Sequence, residues 1–181
     1  TGAADRELTR MAKYFIPCAS VARASDIISA APEGSEIYFT AAAHEAADLR
    51  GAFGAAYSVC GFSAAASMAL EAAATGVIDA VEKLGGFEKM LFAPALSSSA
   101  QLFLDLPEDE FASHMEAAAG FFNLCKCAIP YMMGQPEAEI IVALPREAEN
   151  ATTGMFRATM TALCRSLSEE FSQYGIGVKV I

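Results

Sequence analysis

Short apolar runs alternate with longer segments of helical periodicity along nearly the whole chain. The first run, KYFIPC (Lys13–Cys18), is compact and ends in a turn, which predicts a buried strand. SDIISAA then has helical spacing, and PEGS breaks it. EIYFTA, AYSVCGF, KMLFAPA, EIIVAL and GVKVI supply five further strand candidates, rich in β-branched and aromatic residues. Between them HEAADLRGAFG reads as a helix or loop. Ser63 is a candidate N-cap for AAASMALEAAATGVIDAVEKL, with Gly85 and Gly86 at its end. LPEDEFASHMEAAAGFFNLCKCAIPYMM predicts a long helix with Pro107 at its first position. Glu108, Asp109 and Glu110 complement its first-turn dipole, and Pro130 is placed to kink its last turn. Phe111, Met115, Ala118 and Phe122 form one apolar stripe on it. A final helix is expected from about Thr153 to Tyr174, ended by Gly175.

Strands without polar alternation, separated by helices, imply a parallel sheet covered on both faces. The expected architecture is α/β, a doubly wound parallel sheet in three α/β/α layers. Residues 1–12 are expected to be an N-terminal tail and residues 13–181 a single domain, a length that can bury a real core.

Composition narrows the function. Hydrophobic residues make up 54% of the 181 and charged residues only 19%, which points to extra apolar area buried in an interface. No apolar run reaches the roughly 18 residues needed to cross a bilayer. The net charge of −10 argues against nucleic acid or an anionic membrane as partner. Five cysteines in an irregular pattern suggest reduced thiols and a cytoplasmic protein. Cys125 and Cys127 are two apart on a helix and make a poor metal pair, and no Cys/His cluster has zinc-site spacing, so no metal is expected.

From Lys13 to Ile181 the order of these pieces resembles a short-chain dehydrogenase/reductase, a Rossmann-like fold. GGFEKMLFAPAL resembles that family's fourth-strand segment, the long helix from Leu106 its successor, and EIIVAL the strand that carries the catalytic serine. TALCRSLSEEFSQYGIGVKVI resembles the helix and strand after the family's Tyr-x-x-x-Lys pair. Against the family, the sequence stops after the sixth strand, which implies a truncated domain.

The resemblance fails at the functional positions. The family's dinucleotide loop needs glycines so that its backbone can approach the pyrophosphate. Here PCASVARA puts Cys18, Ala22 and Ala24 in the glycine places, and each added Cβ intrudes or restricts φ > 0. No Asp or Arg beside Phe39 can take the ribose hydroxyl or 2′-phosphate. Ala93-Pro94-Ala95-Leu96 replaces Asn-Asn-Ala-Gly. Thr153 and Arg157 stand for the catalytic tyrosine and lysine, Pro145 or Leu144 for the serine, and Ala117 or Ala118 for the asparagine. A threonine hydroxyl titrates far above tyrosine's value of about 10. Arginine anchors anions but does not shuttle protons.

Other candidates are weak. His114 is either a base or an interface or surface polar residue, His44 a loop residue, and Ser97, Ser98 and Ser99 a flexible polar loop without a base pattern. Met115, Phe121, Phe122, Met132 and Met133 read as core or interface. The resemblance therefore implies no cofactor and no catalytic set: a non-catalytic subunit. In that family the long helices of two subunits pack as a four-helix bundle. Helices 107–133 and 153–174 would then pair this chain with an active short-chain dehydrogenase or with itself. Such a chain is similar in type to the degenerate subunit of a heteromeric hydroxyacyl-CoA dehydrogenase of anaerobic toluene degradation. A homodimeric ligand-binding or regulatory protein, and an enzyme of unusual chemistry built on Arg157, are the alternatives.

Overall fold

A computed structural model describes residues 12–17, 28, 33–41, 45–53, 58–63, 69–94, 96, 99–145 and 150–181. The elements run β1 (Lys13–Ile16), β2 (Glu36–Thr40), α1 (Ala46–Phe53), β3 (Ser58–Ser63), α2 (Leu70–Leu84) and β4 (Lys89–Phe92). After a 3₁₀ turn (Phe103–Asp105) come α3 (Glu108–Met132), β5 (Glu139–Val142), α4 (Ala151–Phe171), a second 3₁₀ turn (Ser172–Tyr174) and β6 (Gly177–Val180). The strands form one parallel six-stranded sheet in the order β3-β2-β1-β4-β5-β6. This is the doubly wound order expected, and the direction of winding reverses between β1 and β4. The N-terminal tail and the predicted helix at 25–31 lie outside the described residues apart from Ala12 and Ile28.

The central strands are apolar on both faces because helices cover both. Phe15, Met90, Phe92, Ile140 and Val142 join one core with α2, α3 and α4; Ile16, Ile37, Phe39 and Leu91 join a second core with Leu49 of α1. Ring contacts knit the first core, Phe15 to Phe87 at 5.3 Å and Phe92 to Phe121 at 5.0 Å. In α2, Ala73, Gly76, Val77, Ala80 and Leu84 are buried at three- and four-residue spacing. Gly76 permits close approach, since a Cβ there would stand 3.2 Å from the Thr40 methyl.

Helix starts depart from the sequence expectation in three places. Ser63 ends β3 instead of capping a helix, and α2 begins at Leu70 after an Ala69 that makes no side-chain cap. Pro107 is the N-cap of α3, extended at ψ 138, not its first helical residue. Thr153 is not the start of α4, because Asn150 caps it and the helix begins at Ala151. The helix α3 runs on through Pro130 to Met132.

Which face of α3 is covered is the instructive point. Glu110, His114, Ala117, Phe121, Leu124, Cys125, Ala128 and Met132 turn inward. The stripe Phe111, Met115, Ala118, Phe122 turns partly the other way: Phe111 and Phe122 are 49% and 55% exposed and Met115 is half-buried, whereas the half-buried Ala118 packs against the first core. The inward face mixes the large apolar side chains Phe121, Leu124, Ile129 and Met132 with the small ones Ala117, Gly120, Cys125 and Ala128, and large apolar groups are found on the outward side as well.

Candidate functional site

In doubly wound sheets ligands bind beyond the carboxyl ends of the strands, where the winding reverses. Here those strand ends are Ile16 and Pro17 after β1, Ala93 and Pro94 after β4, and Ala143 and Leu144 after β5, all of them buried. Their main chains are tied to neighbouring strands: the Ala143 amide donates to the Phe92 carbonyl at 2.9 Å and the Leu144 amide to that of Ile181 at 3.0 Å. Cys18, Ala22 and Ala24, the loop positions that bear on cofactor binding, lie outside the described residues, as does His44.

The described positions that the resemblance would make catalytic hold no acid or base. Ala117 is 2% exposed and belongs to the first core. Thr153 is fully buried in the first turn of α4, where its amide donates to Asn150 Oδ1 at 2.9 Å. Arg157, one turn on, donates from Nη1 to the Pro145 carbonyl, the main-chain group just past β5. The guanidinium therefore braces the β5–α4 connection through the residue that stands in the serine place. Residues 146–149, with the nearby acids Glu147 and Glu149, lie outside the described residues.

A polar network not anticipated from the sequence occupies this end of the sheet. Glu110, in the first turn of α3, is 7% exposed. Its Oε2 accepts from the Ser99 hydroxyl at 2.7 Å and its Oε1 from Asn150 Nδ2 at 2.5 Å. Asn150 Nδ2 also donates to the Ser99 carbonyl at 2.7 Å. Three segments are thus joined: the loop after β4, the start of α3 and the cap of α4. Donation by Ser99, then by Asn150, holds the Glu110 carboxyl below its ordinary value of 4.5. Ser99 is consequently an anchored residue and not part of a free polar loop; Ser97 and Ser98 lie outside the described residues. The available sequence signal was an Asn three residues before Thr153, the spacing of a cap and its N3 amide.

His114 corrects another expectation. It is neither a surface nor an interface residue, being fully buried. A carbonyl can only accept, so the 2.8 Å contact with the Glu110 carbonyl assigns the proton to Nδ1. The ring packs edge-on against Phe156 at 5.5 Å, and Nε2 has no hydrogen-bond partner among the described residues. Burial makes it a core group between α3 and α4, not a base presented to a substrate.

The buried thiols Cys125 and Cys164 are not nucleophiles at neutral pH. Burial, with the neighbouring Cys164, pushes the Cys125 thiol far up, and burial pushes Cys164 up to about 11. No group of three metal-ligating side chains is found among the described residues. A groove of about 390 Å³ lies between α4 and β6, with Cys164, Arg165, Glu169, Val178 and Val180 among its lining, away from the winding reversal. Its arginine is paired with Glu169 at 2.9 Å. Among the described residues no helix is long and apolar enough to cross a membrane.

No protein-family model and no curated protein sequence matches the chain. Solved structures do match it. A protein titled LigO, in its apo form, from Sphingobium superposes with TM-score 0.75 at 16% identity, covering 95% of this chain and 67% of that one. A dehydrogenase/reductase from Sinorhizobium meliloti gives 0.74 at 15%, covering 95% and 71%. A short-chain dehydrogenase/reductase from Serratia marcescens gives 0.72 at 17%, covering 93% and 72%. The chain thus has the fold of short-chain dehydrogenases/reductases over nearly all its length and spans about two thirds to three quarters of these structures.

Proposed function

We propose that this chain is a non-catalytic subunit of the short-chain dehydrogenase/reductase type, retained for assembly. Its partner on this reading is an active subunit of an oxidoreductase complex, with a hydroxyacyl-CoA as one substrate class. The observation that carries the reading is the pair Thr153 and Arg157. The first is sealed in the core and the second is spent on the Pro145 carbonyl. A tyrosine–lysine pair works by presenting a phenol whose pKa the lysine lowers, as general acid or base to the substrate. Neither residue here can supply that proton transfer.

The assembly side rests on α3, whose outward side carries the exposed Phe111 and Phe122 and the half-buried Met115. Apolar surface of that kind left in water is an interface in waiting. Met160 of α4 is not part of it, since it is fully buried in the core.

Native pull-down followed by mass spectrometry tests the reading. A co-purifying short-chain dehydrogenase held through α3 and α4 supports it, whereas a chain that pairs only with itself favours the homodimeric alternative. A chain that stays monomeric and alone contradicts it.

A further inference from the structure

The most exposed large apolar side chains lie together in one turn. Leu102, Phe103 and Leu104, consecutive in the connection from β4 to α3, are 78%, 76% and 93% exposed. None of the three belongs to either core, so the fold does not call for their apolar character. Nor are they slack chain. The Asp105 amide donates to the Leu102 carbonyl at 2.9 Å and the Gln101 amide to that of Ser99 at 2.8 Å. Ser99 is held in turn through its hydroxyl by Glu110 and through its carbonyl by Asn150. The turn is therefore braced at its base while three large side chains stand in water. A pre-ordered apolar loop loses little freedom on binding, which suits it to anchor a contact.

Charge indicates what covers the turn. Both α2 and α3 return from the carboxyl ends of their strands, so their starts lie at the same end of the sheet. At that end Leu70 of α2, 47% exposed, is followed by the exposed Glu71. The turn itself is followed by the exposed acids Asp105, Glu108 and Asp109. Residues 69–75 and 99–116 contain no lysine or arginine. The surface is thus apolar and acidic at once, and its complement is apolar at the centre and cationic at the rim. A second copy of this chain is a poor complement, because its net charge is −10. An anionic membrane would repel the same acids.

We infer, resting on the assembly reading above, that the turn Leu102–Leu104 anchors this chain in an apolar cleft of the active subunit, a cleft rimmed by lysine and arginine. Phe103 and Leu104 fill the cleft, and Asp105 and Glu108 meet the rim cations. The apolar side chains supply most of the affinity; the acids steer the encounter and reject an acidic partner. The anchor is a different surface from the outward face of α3. Phe122 lies 14 residues into that helix, about 21 Å beyond its start at 1.5 Å per residue.

Site-specific photo-crosslinking of the full chain in cells of its source organism tests the anchor. A photoreactive phenylalanine analogue replaces Phe103 in one tagged chain and Phe122 in another, and the adducts are sequenced by mass spectrometry. The analogue at 103 is expected to capture a short-chain dehydrogenase, at an apolar peptide flanked by lysine or arginine. Leu104→Asp, and Asp105→Lys combined with Glu108→Lys, should each cut that adduct about tenfold, with circular dichroism confirming that the variants fold. Capture of the dehydrogenase from 122 but not from 103 overturns the anchor and leaves the assembly reading standing. No dehydrogenase adduct from either position overturns both. An adduct from 103 with a second copy of the chain, or with another class of protein, overturns the stated partner. An adduct unchanged by Leu104→Asp overturns the apolar anchor, and one unchanged by the charge reversal overturns the cationic rim.

Discussion

Asn150 Nδ2 lies 2.5 Å from Glu110 Oε1, and through that contact the cap of α4 is fastened to the first turn of α3. The same asparagine accepts the Thr153 amide, so one side chain both starts a helix and locks it to its neighbour. Replacing Asn150 with Ala removes the cap and leaves Glu110 with one fewer donor. Loss of the cap alone costs about 1–2 kcal/mol. In a chain of this size each kcal/mol lowers Tm by about 2–4 °C, and thermal unfolding followed by circular dichroism should show that drop. An unchanged Tm would mean that the network is ornamental.

The pH dependence follows from Glu110. Its folded pKa is lowered, chiefly by Ser99 and then by Asn150, relative to the 4.5 of an unperturbed carboxyl. The unfolded chain therefore binds the proton at a higher pH than the folded one. The stabilisation is complete well above 4.5 and is lost as pH falls through the lowered folded value. Denaturant unfolding of wild type and Glu110→Gln at a series of pH values should show a gap that is largest near neutrality and shrinks as pH falls below 4.5 and through the lowered folded value. A gap that widens in acid would reverse the sign and contradict the network.

Two Met and Phe substitutions separate core from contact face. Met160 is fully buried and Phe122 is 55% exposed. Met160→Glu places a charge in the first core and should cost several kcal/mol, enough to impair folding. Phe122→Glu should leave the fold intact and weaken association instead. Size-exclusion elution with a parallel melting curve distinguishes them, and a folded, associated Phe122→Glu chain would place the interface elsewhere.

The sheet was legible in the sequence because its strands are apolar on both faces and bounded by turn residues. The helix faces were harder. In α3 the eye is drawn to Phe111, Met115 and Phe122, yet the buried side mixes Phe121, Leu124, Ile129 and Met132 with Ala117, Gly120, Cys125, Ala128 and His114. Large apolar groups lie on both sides of the helix, so a pattern scored by apolar size does not separate the two faces. The start of α4 was ambiguous because Asn150 and Thr153 are both good caps; only the 2.9 Å bond between them decides which caps which. The Ser99–Glu110–Asn150 network spans 51 positions of sequence, and no local spacing announces it.

Arg157→Ala removes the bond to the Pro145 carbonyl and nothing that transfers a proton. Stability should fall by roughly 1 kcal/mol, the scale of one hydrogen bond. In a reconstituted complex with an active dehydrogenase, turnover should be nearly unchanged. A fall of about a hundredfold with assembly intact would return Arg157 to the chemistry.

Calorimetric titration of the isolated chain with NADH and NADPH tests the non-catalytic reading most directly. With Cys18, Ala22 and Ala24 in place of three loop glycines and Phe39 without an adjacent Asp or Arg, no saturable binding is expected up to about millimolar cofactor. Binding of either nucleotide with a micromolar Kd, abolished by substitutions in the loop after β1, would show that the cofactor site survives.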